Sequence, residues 1–275
     1  MLVIVPIVFY FGGAYVAVAS LVVLLLLLTS LYRYSPKILL RWYRCHEAEP
    51  ATQQGMHDMM ASVASEFAIP CPKIYLFDAS IPMLFSVGTR KAYSVVISES
   101  ALNILDEDEL RALLACEVAK ISIGSVPVNT FVGLIAGSIM SLSTVAMWMS
   151  MLAGFGQEKD AAPRFARFLA MGLVSLPAAL VVHIFGVNST LKADDMAASA
   201  ITDGSLLCRA LYRANNYIRL HCTEDFNPGH VNLFLVNPLR LNDIFDLYSS
   251  MFIIKPDIGQ RVSLIKEKYG RDGQR

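Results

Sequence analysis

Hydrophobic residues in this chain gather into three long blocks separated by mixed, polar stretches. The first block, Leu2 to Leu31, carries no charge and includes the run LVVLLLLLTS. About 20 apolar residues suffice to cross a bilayer, so this block predicts one spanning helix. Gly12 and Gly13 interrupt it without making room for a second span. The absence of a basic start and of a short apolar core argues against a cleaved signal peptide. The second block is Ile121 to Gly156 and the third Phe168 to Val187. The short connector QEKDAAPRFAR between them makes a hairpin. Pro177 is tolerable in the third, because neighbouring helices can satisfy the freed carbonyl. A buried core helix in place of one central span is the alternative, since length alone separates the two.

Between the blocks the pattern changes. ATQQGMHDMMASVASEFA (51–68) is helical and ends at IPCP; KIYLFD (73–78) is β-branched and aromatic, the mark of a strand. MLFSVG and AYSVVIS are further strands around a GTRK turn. The prediction is an α+β, mostly helical membrane protein with a small antiparallel sheet and about three transmembrane helices. Residues 1–32 form an anchor, 33–120 the first half of a water-facing domain, 121–187 a membrane hairpin and 188–275 the second half. Arg33, Lys37, Arg41 and Arg44 follow the first span. Basic residues are retained on the inner side, which puts Met1 outside and the domain in the cytoplasm.

Composition agrees. Hydrophobic residues are 55% and charged residues 17% of the 275, against roughly 45–50% and about 25% in soluble domains. A net charge of zero gives no reason to expect nucleic acid. The five cysteines (Cys45, Cys71, Cys116, Cys208, Cys222) form no C-x-x-C pair, so reduced thiols are expected rather than disulfides or a zinc knuckle. Gly133 and Gly137 are spaced for close helix packing, first within the hairpin and, as the sharper option, in self-association. SLLCRALYRANNYIRL (205–220) predicts a helix with a solvated basic face, the sharper option being contact with anionic headgroups. VNLFLVNPLR predicts buried core.

The chemistry concentrates in one helix. In ALNILDEDELRALLACEVAKI, Asp106 and Glu109 have capping-box spacing. At ~100° per residue, Leu110, Leu113, Leu114 and Ile121 share a stripe with Glu117 in its middle. Cys116 and Lys120 fall on its flank. A carboxylate on a buried face must be paired or protonated, and Lys120, three residues on, can supply the charge. CEVAK keeps the outline of H-E-x-x-H, with its glutamate and neither histidine. In an intact motif that glutamate is the general base beside a metal-bound water. If Cys116 were instead a nucleophile, Lys120 would lower its pKa, but no histidine sits at a dyad spacing. Of the five histidines, His57 and His230 are expected at the surface or in loops, and His183 packed near a membrane end.

From Ile69 to Lys266 the chain resembles the HtpX-type integral-membrane zinc metallopeptidases. IPCPKIYLFDASIPMLFSVG, ALNILDEDELRALLACEVAKI, VNSTLKADD and MFIIKPDIGQRVSLIK follow that family's motifs in order, with the hairpin in its place. The resemblance implies a zinc metalloendopeptidase whose two histidine ligands are here Cys116 and Lys120 and whose third, a glutamate, is Thr190. Glu117 (the general base) and Asp194 (the acid behind the ligands) are retained. The substrate-edge asparagine is Met83, and a C-terminal histidine is Lys255. Zinc takes about three ligands from His, Cys, Asp or Glu, so no metal or other cofactor is expected. The expected function is that of a membrane-anchored pseudopeptidase, a non-catalytic binding or regulatory protein that takes membrane-protein or peptide clients in membrane-protein quality control, a client strand adding to a sheet edge. The alternatives are an active metalloendopeptidase with substituted ligands and a purely structural membrane component.

Overall fold

A computed structural model describes residues 4–50, 53–152, 175–201, 204–221, 226–238 and 250–269. Helix α1 (Ile4–Trp42) is 39 residues long, roughly 60 Å at 1.5 Å per residue. It therefore does not stop at the expected boundary near residue 32. It runs through the basic cluster and over Pro36 until Leu39 enters the core of the water-facing domain. Val18–Trp42 is long and apolar enough to cross a membrane, and only 6% of its most apolar stretch is buried within the protein. Two bent helix pairs raise the number of candidate spans among the described residues to three. The first is α4 (Glu107–Ile123) with α5 (Val126–Leu152) at 96°, and the second is α6 (Ser175–Phe185) with α7 (Thr190–Ala200) at 51°. The hairpin connector lies outside the described residues.

The sheet has four strands: β1 (His46–Glu47), β2 (Lys73–Phe77), β3 (Leu84–Thr89) and β4 (Ala92–Ser98), in the order β1-β2-β4-β3. β3 and β4 form the expected antiparallel hairpin around residues 90 and 91. β2, however, pairs with β4 in parallel, Lys73 opposite Ser94 and Phe77 opposite Ser98, so the sheet is mixed rather than antiparallel. The connection through Ile81 carries the chain to the far edge before β3, and β4 returns between the two. Strand β1 pairs antiparallel with β2 and lies in a stretch without a strand pattern.

Helix α2 (Gln54–Glu66), the short α3 (Glu99–Ile104), α8 (Gly204–His221) and α9 (Ile258–Tyr269) complete the described elements, with a 3-10 turn at Pro228–His230. The capping box of α4 forms as expected, with Glu109 Oε2 accepting from the Asp106 N–H at 3.1 Å. The expected apolar stripe does not describe this helix. Every residue from Ala112 to Ile121 is buried, because β3, α2, α7 and α8 all pack on α4. Gly124, at φ +80°, ends it in the left-handed conformation that glycine adopts without strain.

Two other expectations change. Gly133 and Gly137 do not face the hairpin partner. A Cβ on Gly133 would lie 3.1 Å from the Leu233 side chain, and one on Gly137 only 1.9 Å from His230 Nε2. His230 is thus buried, not in a surface loop, with Nδ1 2.7 Å from the Tyr43 hydroxyl. His57 is half-buried, its Nε2 3.2 Å from the Ala48 carbonyl oxygen, whereas His183 is exposed on α6. The basic face of α8 is solvated as expected, with Arg209, Arg213 and Arg219 exposed, and the first two also pair with the buried Glu109, at 3.0 and 2.8 Å. VNLFLV does form core, as expected.

Candidate functional site

α4 and α7 carry the five residues singled out by sequence, and the two helices pack together. Glu117 is completely buried. Its Oε1 accepts from Lys120 Nζ at 2.6 Å and its Oε2 from the Ser86 hydroxyl on β3 at 2.6 Å. The Lys120 pairing follows directly from a three-residue helical spacing. Ser86 was not singled out in the sequence. Its place on the strand facing α4 becomes visible only once β3 is aligned.

Asp194 does not join that pair. It is held by Arg261 of α9, whose Nε and Nη2 donate to its two oxygens at 2.7 and 2.8 Å. Both side chains are 2% exposed. Arg261 was missed. The available signal was an arginine inside DIGQRVSLIK, set among the apolar residues that bury the helix. A charged helical position is usually solvated, which hides such a case. The Cys116 thiol donates to Asp194 Oδ1 at 3.5 Å. Burial first, and then the Asp194 charge, push this thiol well above the usual cysteine range. Lys120 pulls the thiol down, the direction of the nucleophile reading, but burial and Asp194 outweigh it. Thr190 opens α7 and is buried. Met83, at the edge-strand position, is also buried, with its backbone tied to Ser98.

Lys255 adds a third basic side chain. Its Nζ donates to the Phe234 carbonyl oxygen at 2.5 Å. Desolvation, then the nearby Lys120 charge, push its ammonium well below the usual lysine range. Among the described residues, no group of three or more His, Cys, Asp or Glu side chains is placed to hold a metal ion. His230, the deepest histidine, is committed to Tyr43 and Trp42 instead.

Comparison with known proteins identifies the family. The profile of peptidase family M48 matches residues 50–268. A protein named Protease HtpX homolog from Thermococcus sibiricus is 29% identical over 223 residues, covering 80% of this chain and 76% of its own. Its namesake from Desulfatibacillum aliphaticivorans is 28% identical over 235 residues, 84% and 74% of the two chains. That from Aquifex aeolicus is 28% identical over 249 residues, 88% and 81%. Among solved structures, the crystal structure of S. mikatae Ste24p aligns with a TM-score of 0.45 at 17% identity, over 96% of this chain and 61% of that one. With the family profile spanning most of its length, from helix α2 to the last helix, the chain belongs to peptidase family M48 and is of HtpX type.

Proposed function

We propose that this chain is a membrane-anchored, zinc-free pseudopeptidase that faces the cytoplasm and binds extended parts of client membrane proteins without cutting them. The observation that carries the reading is the environment of Glu117. A general base needs a carboxylate oxygen open to a water held by the metal; here Lys120 and Ser86 occupy one oxygen each. The donor set does not fit zinc either. An ammonium cannot coordinate, a threonine hydroxyl is a poor ligand, and a thiol pushed up in pKa and hydrogen-bonded to Asp194 resists giving the thiolate that binds metal. The buried charges replace the metal as the cement between α4, β3, α7 and α9.

The test is elemental analysis of the full chain purified without chelator, alongside cleavage of casein and of a model membrane protein with and without added zinc. The expected result is substoichiometric zinc and intact substrates. Stoichiometric zinc, with cleavage abolished by chelator and by Glu117→Gln, would overturn the proposal in favour of a peptidase with substituted ligands.

A further inference from the structure

Extended peptides bind open sheet edges by adding a strand, the backbone hydrogen bonds giving affinity and the side-chain pockets specificity. The edge in question is the outer side of β3, opposite β4, and the chain's own residues already cover it. Phe234 forms an antiparallel bridge with Phe85. The Leu235 N–H donates to the Leu84 carbonyl at 2.8 Å, and at the other end the Thr130 hydroxyl accepts from the Gly88 N–H at 3.1 Å. We infer that residues 231–236 are a built-in occupant of the peptide edge, which an incoming extended segment bearing a large apolar side chain must displace. This rests on the client-binding reading above.

The segment is held as a bound peptide would be. Two consecutive carbonyls are each met by a basic side chain: Phe234 O by Lys255, and Leu235 O by Arg261 Nη1 at 2.8 Å. Phe234 is 1% exposed. Its ring sits among those of Phe85, Phe226 and Tyr43, with centroids 5.1, 5.6 and 5.7 Å away. Vacated, this box would accept a phenylalanine or leucine from a client, and the Lys255 and Arg261 side chains would meet the client's backbone. The segment's hold on β3 is narrow, a single isolated bridge rather than a ladder. A client offering several ladder bonds to β3 competes for the same edge.

The probe is a fluorescein-labelled peptide with the sequence of residues 229–238, GHVNLFLVNP, measured by anisotropy on the full chain in detergent. Leu235→Pro removes the N–H that reaches Leu84, and Phe234→Ala empties the aromatic box. The expected result is weak binding to wild type and affinity at least about tenfold tighter for either variant, as an internal competitor lowers the free edge population. A peptide carrying Asp in place of its Phe should lose that gain. Equal affinity for wild type and variants would overturn the inference while leaving client binding intact. No binding by any form, with the 84–88 amides exchanging faster in the variants, would overturn both this inference and client capture, but not the absence of zinc. Should both variants fail to fold, hydrogen exchange on wild type decides. Saturating peptide must accelerate exchange of the 231–236 amides, and peptide bound without that change overturns the inference.

Discussion

Replacing Lys120 with methionine removes one charge from a pair 2.6 Å apart whose side chains are 8% and 0% exposed. Methionine keeps the length and the apolar contacts, so the loss is electrostatic. Breaking a buried ion pair by deleting one partner costs about 3–5 kcal/mol, because the other charge stays behind in a poor dielectric. A second route gives the same size. Protonating a lone carboxylate at pH 7, from an ordinary value near ~4.3 and at about 1.36 kcal/mol per unit, costs ~3.7 kcal/mol. At ~2–4 °C per kcal/mol for a chain of this size, the melting midpoint should fall by roughly 6–20 °C. The assay is a thermal melt of the purified full chain in one detergent, followed by intrinsic fluorescence. Two comparisons isolate the cause. Lys73 and Glu47 are also close, at 2.8 Å, but 63% and 52% exposed, so Lys73→Met should leave the midpoint unchanged. The double variant Glu117→Gln with Lys120→Met removes both charges and should recover at least half of the loss, a coupling that a double-mutant cycle reads directly. A Lys120→Met midpoint matching wild type, or a double variant no better than the single, would refute the reasoning.

Arg261→Met should destabilise by a similar ~3–5 kcal/mol, since it strands the buried Asp194; adding Asp194→Asn should restore part of the same melt. Desolvation lowers His230 from 6.5 to about 4, so the folded chain holds it neutral while the unfolded chain binds a proton first. Its contribution is therefore full above pH 6.5 and is lost as pH falls toward 4, at up to ~1.36 kcal/mol per unit; midpoints of wild type should drop across that window more steeply than those of His230→Gln. The protonated, buried Cys116 should resist iodoacetamide in the native chain while the exposed Cys71 is labelled, as mass spectrometry of the digested peptides will show; rapid native labelling of Cys116 would contradict its burial.

Local chemistry was readable where its partner lay a few residues away. The Asp106–Glu109 box, the β3–β4 hairpin around its turn, and the Glu117–Lys120 pair all follow from spacing. Where the partner lay far along the chain, the sequence left no mark. The parallel pairing of β2 with β4 depends on a crossing that strand propensity does not record. His230 is buried because Gly137 and Gly229, on separate segments, leave room for close approach. Arg261 is buried because Asp194, 67 residues earlier, awaits it. A charged or polar residue reads as solvated until the fold supplies its counterpart.

Under the proposed pseudopeptidase function, the Glu117–Lys120 contact also sets the terms of any evolutionary return to hydrolysis. A histidine at 120 would be needed for the motif, yet introduced alone it deprives Glu117 of its ammonium while positions 116 and 190 still offer a thiol and an alcohol. Under that proposal each first step back crosses a stability valley before a cation has anywhere to bind, so a metal-for-lysine exchange would behave as a one-way door.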